Sequence, residues 1–204
     1  GQAAYVLHLL QLAGVSRCVL VAHDFGALVA SEIIARDPER VSHLVLLNTS
    51  LWHADWRGGS RWNPLRLLTV PGVGELAFRC ARRWMLGLAF RPYLAKRRPL
   101  EPDVLDVYWR PFTLGFSGTL LRLMRATSPS LEDFQRWRSA LVAFNGDALL
   151  LWGAQDPTFT IERGRAIAAL VPKAHFVALP GGNHFVPEDV PRTLARWIVR
   201  RAHW

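Results

Sequence analysis

A chain of 204 residues, half of them hydrophobic, is long enough to bury a core and bounds the architecture at one or two domains. Arg, Gly or Pro interrupts every apolar run before the roughly 18 residues that a membrane span needs, which excludes an integral membrane protein. The net charge of +9 is almost wholly guanidinium and is concentrated: between Arg57 and Arg98 ten basic residues accompany a single acid, Glu75.

That basic block lacks the aromatic-and-basic signature of RNA binding and any zinc-finger spacing, so a solvated helix face is expected and no nucleic-acid partner. A salt-sensitive contact between the Arg79–Arg83 region and an anionic membrane is the competing reading. Cys18 and Cys80 show no metal-ligand spacing and no disulfide framework. They argue for a reducing, cytoplasmic compartment, with neither metal nor cofactor expected.

In chain order, Gln2–Leu12 carries a helical pattern; it resembles a signal-peptide core but lacks a starting Met and a basic flank. Residues 17–22 (RCVLVA) follow as a short apolar run, read as a strand whose edge is open if the chain is a shortened domain and not a fragment of a longer one. A helix over 27–36 stops before Asp37-Pro38, and residues 43–47 (HLVLL) form the second strand. Residues 50 to 145 then break the rhythm with helical stretches, clustered Trp and most of the Arg. Within them, residues 74–90 place Leu76, Cys80, Trp84 and Leu88 on one helical stripe and Arg79, Arg82 and Arg83 on another. Two more helices are expected near 105–110 and 117–125, bounded by Pro99, Pro102 and Pro111. The strand–helix alternation resumes with strands over 148–152 and Ala174–Leu179 and helices over 161–170 and 191–201. This pattern predicts an α/β fold with a parallel sheet covered on both faces. Three segments are expected: a first core part over 1–50, a helical cap insertion over 51–145, and a second core part over 146–204.

The chemistry collects where strands end. The first strand runs into Ala22-His23-Asp24-Phe25-Gly26 and then directly into a helix, the small-x-nucleophile-x-small pattern of a nucleophile elbow. Asp24 stands at its centre, and the following helix N-terminus with the Phe25 backbone N–H can stabilise negative charge there. Asp156 follows the third strand and His184 the fourth, each just past the C-terminal edge where open parallel sheets gather ligands. Taken singly, Asp24 reads as a helix cap, Asp156 as a turn former and His184 as a loop histidine. Their order of nucleophile, acid and histidine, each at a strand end, favours one catalytic constellation.

His23-Asp24-Phe25-Gly26, Leu47-Asn48-Thr49, Trp152-Gly153-x-x-Asp156 and Asn183-His184-Phe185-Val186-Pro187-Glu188-Asp189 together resemble the epoxide hydrolase and haloalkane dehalogenase branch of the α/β-hydrolases. The resemblance implies a three-layer core with a helical cap. It also implies an Asp24 ester intermediate on a small apolar electrophile, hydrolysed by water that His184 activates while Asp156 orients the imidazole. Trp52, Trp56, Tyr93, Tyr108 and Trp109 become candidate walls of a substrate pocket, with core packing as the competing role for each.

The branch pattern is not complete. Phe25 stands where dehalogenases place a halide-holding Trp and has no side-chain N–H to donate. Lys96 aligns with a second halide donor, and Leu67 and Leu123 or Met124 align with the two tyrosines of epoxide hydrolases. The resemblance also implies further strands and a His-Gly loop ahead of Gly1, which makes the chain read as an N-terminally shortened piece. Two functions are therefore carried forward: a hydrolase working through Asp24, and a non-catalytic binding module that retains the fold.

Overall fold

Four apolar runs become the strands β1 (Cys18–His23), β2 (Val41–Leu47), β3 (Asp147–Gly153) and β4 (Ala174–Leu179). The computed structural model describes residues 1–57, 67–126 and 129–202. Every pairing is parallel and the order is β1-β2-β3-β4, so each strand lies beside its neighbour in sequence. Parallel neighbours cannot be joined by a tight turn. Helices make the crossovers here: α1 (Gln2–Leu12) precedes β1, and α2 (Phe25–Arg36) links it to β2. The C-terminal half adds α9 (Ile161–Ala168) before β4, then α10 (Val186–Asp189) and α11 (Pro191–Ala202).

Strand period fixes the two faces of the core. Val45, Leu47, Leu149, Leu151 and Leu179 form a buried cluster with Val186 and Leu194, and Val190, between the last two helices, packs against it with Trp197 and Ile198 of the final helix. Residues of the opposite parity, Leu44, Leu46, Leu150 and Trp152, are fully buried as well. The central strands therefore read as continuous apolar runs because both of their faces are covered. Edge strand β1 differs, with Val19 38% and Val21 45% exposed.

Contacts divide the chain into two compact units: Gly1–Trp52 with Leu131–Trp204, and His53–Ser130. Helix α8 (Leu131–Val142) belongs to the first of these through α2, where Glu32 binds three partners. It accepts hydrogen bonds from Trp137 Nε1 at 2.6 Å and Arg36 Nε at 2.6 Å, and it also pairs with Arg136. The second unit is helical, with α3 (His53–Arg57), α4 (Val73–Cys80), α5 (Arg83–Phe90), α6 (Pro102–Thr113) and α7 (Ser117–Ala126). Arg125 grips both oxygens of Glu75 at 2.6 and 2.8 Å and donates to the Thr69 and Val70 carbonyls. That fork holds the Glu75 carboxyl at about 2, well below its ordinary value, with the Arg125 hydrogen bond as the largest cause. Arg61 and Arg66 of the basic block lie outside the described residues.

Two sequence expectations in this unit are corrected. The single helical stripe over 74–90 is broken at Ala81 (φ −59°, ψ 145°), where the Arg82 guanidinium turns back onto the Cys80 and Ala81 carbonyls. A side-chain donor there satisfies helix-end carbonyls without glycine, so composition gave no warning. Leu76, on the first of the two helices, and Trp84 and Leu88, on the second, are 63%, 63% and 51% exposed. Pro111, expected as a boundary, lies inside α6, while Pro102 opens the helix. Proline suits the first helical position because its missing N–H is not needed there, and Pro111 comes so late that little helix follows it. Among the described residues no helix is long and apolar enough to cross a membrane.

Glycine is required where the β3 exit meets the loop after β4. A Cβ on Gly153 would lie 2.0 Å from the Asn183 carbonyl oxygen, whereas one on Gly26 would meet only the Ala22 Cβ at 4.0 Å. Gly153→Ala is therefore expected to cost about 3 kcal/mol, the upper range for overpacking. For a chain of this size that is a fall in Tm of roughly 6–12 °C. Gly26→Ala should leave Tm unchanged or slightly raised, and thermal unfolding followed by circular dichroism compares the two directly.

Candidate active site

Asp24 sits at the bend between β1 and α2 with φ 49° and ψ −119°, backbone angles that a non-glycine residue adopts only under strain. Its surroundings hold it there. The Asp24 N–H reaches the Leu47 and Asn48 carbonyls at 3.3 and 3.2 Å, and its own carbonyl accepts from Thr49 Oγ1 at 2.8 Å and from the Ala27 N–H at 3.1 Å. The bend is thus tied to the end of β2 on one side and to the first turn of α2 on the other. Phe25 is the first residue of α2, at the positive end of the helix dipole. The Asp24 side chain is 38% exposed.

Asp156 occupies the loop after β3, and its side chain is fully buried. A buried carboxylate is costly unless its lone pairs are filled. Here Oδ1 accepts the Thr158 and Phe159 N–H groups at 2.7 and 3.1 Å. Oδ2 accepts Asn48 Nδ2 at 2.7 Å and His184 Nδ1 at 2.9 Å. Because a carboxylate only accepts, His184 must carry its proton on Nδ1, which leaves the Nε2 lone pair as the basic position. That Nε2 lies 4.0 Å from Asp24 Oδ1.

His184 is held by its loop as well as by its ring. Ala154 N–H donates to the Leu179 carbonyl and Gln155 N–H to the Gly182 carbonyl, both at 3.0 Å, so the acid loop and the histidine loop are joined by backbone. Asp189 Oδ2 receives the Asn183 N–H at 2.8 Å. Rings of His23, Phe185 and Phe159 stand 5.0, 5.1 and 5.8 Å from the imidazole. Burial acts to lower the pKa of His184. The hydrogen bond and charge of Asp156 and the charge of Asp24 outweigh it, and the result lies above the ordinary histidine value. His23 moves the opposite way, lowered by burial and by the neighbouring His184.

The structure thus brings Asp24, Asp156, His184 and the Phe25 backbone to one edge of the sheet. The five aromatic candidates are divided between the two units. Trp52 belongs to the sheet-containing unit, where the Arg163 and Arg138 guanidinium carbons lie 4.4 and 5.9 Å from its ring centroid. Trp56, Tyr93, Tyr108 and Trp109 belong to the helical unit, where Tyr108 packs on Phe90 at 4.8 Å and Trp109 stacks on Phe112 at 5.2 Å. Asn48, to which sequence reasoning gave no role, proves central. It is fully buried, with φ 23°, and bridges Asp156 to the Gly153 N–H, which donates to Asn48 Oδ1 at 2.8 Å. A signal existed, since an uncharged amide directly after an unbroken apolar strand needs buried partners. Among the described residues no group of three or more His, Cys, Asp and Glu is arranged to hold a metal ion.

Comparison with known proteins agrees with this architecture. The family model described as the alpha/beta hydrolase fold matches residues 1–191. The putative hydrolase LipZ of Mycobacterium tuberculosis is 25% identical over 185 residues, covering 87% of this chain and 62% of that protein. Haloalkane dehalogenase 2 of Mycobacterium bovis is 26% identical over 199 residues, covering 92% and 65%. Among solved structures, the haloalkane dehalogenase DatA of Agrobacterium tumefaciens superposes with a TM-score of 0.79 at 23% identity, covering 97% of this chain and 70% of that one, a likeness of fold. The chain spans 62% and 65% of the lengths of the two curated relatives. With a parallel sheet, an elbow at Asp24 and a family match across residues 1–191, the chain belongs to the α/β-hydrolase fold family.

Proposed function

We propose that this chain carries the catalytic residues of a hydrolase that works through an ester on Asp24, with a small apolar electrophile such as an epoxide or an alkyl halide as substrate. The observation that carries the reading is the Nε2 of His184 lying 4.0 Å from the Asp24 carboxylate while its Nδ1 is bonded to buried Asp156 at 2.9 Å. A partly exposed carboxylate needs no base in order to attack carbon. One Asp24 oxygen forms the new C–O bond, and the leaving oxygen or halide departs with the electron pair of the broken bond. His184 then removes a proton from water, and the resulting hydroxide attacks the Asp24 acyl carbon. The acyl C–O bond breaks, and the proton held by His184 passes to the departing alcohol. The Phe25 N–H at the head of α2 would steady the charge on the tetrahedral intermediate. In the same reading the helical unit His53–Ser130, within the segment expected over 51–145, is a cap that governs which substrates are accepted, and the relatives that are dehalogenases support the choice of electrophile.

Two outcomes follow. After incubation with a panel of epoxides and haloalkanes, His184→Gln should retain the adduct on the peptide containing Asp24, read by mass spectrometry, and Asp24→Asn should show none. Failure to find the adduct across such a panel with an active enzyme contradicts the proposal. The pH dependence has a definite sign. Water activation needs neutral His184; burial favours that form, and in the ester, where Asp24 carries no charge, only the hydrogen bond and charge of Asp156 oppose it, so the rate of ester hydrolysis should be low in acid and rise as His184 loses its proton. Asp156→Asn leaves the lowering effect of burial and removes the Asp156 hydrogen bond and charge that oppose it. The midpoint should therefore move down while the plateau rate falls by on the order of 100-fold or more.

A further inference from the structure

His23 precedes the elbow aspartate, yet the proposed reaction gives it no task. Its side chain makes a specific contact with another loop: Nε2 donates to the backbone carbonyl of His184 at 2.9 Å, across 161 residues of chain. The acceptor is a carbonyl, so the donor proton must reside on Nε2. That same carbonyl also receives the Val186 N–H at 3.0 Å, so two donors fix the peptide that follows the His184 side chain. The His23 ring lies 5.0 Å from the His184 ring and 5.8 Å from that of Phe185. Asp24, Asp156 and His184 are the ionisable groups whose charges act on it.

We propose that His23 is a positioning residue: its Nε2–H anchors the backbone of His184 to the nucleophile elbow and so keeps the His184 imidazole aligned between Asp156 and Asp24. The consequence is a direct strut between the two halves of the catalytic pair. The elbow and the histidine loop leave the sheet from β1 and β4, which lie at its opposite edges. A side chain of a strand-end residue closes that gap, where the backbone ladder cannot. His23 must be uncharged for this to work well, since a cation 5.0 Å from the His184 ring would oppose protonation of His184 during turnover. Burial and the neighbouring imidazole both favour the neutral form.

The inference rests on His184 acting as the base, and it is tested without turnover. Histidine-labelled protein, studied by nitrogen and proton NMR across pH, reports the tautomer of each ring and the strongly shifted Nδ1 proton of His184 bonded to Asp156. Native His23 should be the Nε2–H tautomer at neutral pH, and finding the proton on Nδ1 overturns the proposal. His23→Gln places an amide N–H near the lost Nε2 without the ring, and His23→Phe keeps a ring without the donor. The Gln variant should retain the His184 Nδ1 signal and midpoint. The Phe variant should lose or broaden the signal and lower the midpoint by about one pH unit, the low end of what weakened contact with a charge partner causes. A Phe variant with native His184 behaviour defeats the strut and makes the ring rather than the N–H the operative feature; loss in both variants also defeats it, because an N–H at that place would then not be sufficient. Absence of any Asp24 adduct would count against the hydrolytic reading and leaves these NMR results to stand or fall by themselves.

Discussion

The buried Asp156 carboxylate is the constraint around which the site is organised. Removing a carboxylate from water is expensive, and the cost is offset only when each oxygen is engaged. Its four donors come from different places: Asn48 from the end of β2, the Thr158 and Phe159 amides from its own loop, and His184 from the loop after β4. Satisfying one charge therefore fixes three strand ends relative to one another. The same arrangement sets the histidine tautomer, because the imidazole must offer Nδ1–H to the acid and is left with a basic Nε2.

Register explains how the elbow joins this network. His23 pairs with Leu47 and Leu47 with Leu151, so Asp24 and Asn48 follow neighbouring positions on adjacent strands. Asn48 then reaches sideways to Asp156, and Thr49 reaches back to the Asp24 carbonyl. The strained backbone at Asp24, a cost of about 1–3 kcal/mol for such angles, is held by hydrogen bonds that come mostly from this same strand end. Strain and order thus share one source: the closely spaced C-terminal edge of a parallel sheet. Gly153 belongs to that economy, because a side chain there would push apart the two loops that carry Asp156 and His184.

Much of the fold was legible because the central strands are buried on both faces and so stand out as unbroken apolar runs. The candidates Asp24, Asp156 and His184 stood out because each comes after a short apolar run, although β1 and β4 are only partly buried. Asn48 entered only as part of a motif after the second strand and was given no role, since an asparagine after a strand is ordinary until its partners are known. Residues 81–82 show a different limit. The chain turns there on an arginine that caps helix carbonyls, and no glycine or proline marks the place. Helix α8 lies against α2 through Glu32, Arg136 and Trp137, a long-range contact that periodicity does not reveal. The exposed Leu76 and Trp84 follow from the same limit, because a helical stripe in sequence says which residues share a face and not whether anything covers it.

The family match and the fold likeness establish the scaffold, while the proposal of Asp24 as nucleophile rests on that residue and its neighbours. An aspartate at that bend leaves a chemical signature that a site activating water directly would not. Turnover in oxygen-18 water, followed by mass analysis of the peptide containing Asp24, measures it. Hydrolysis of an ester at the acyl carbon must place heavy oxygen in the Asp24 carboxylate, with the first product carrying the enzyme's original oxygen. Label found only in the product, with an unlabelled Asp24 peptide after many turnovers, would contradict the account.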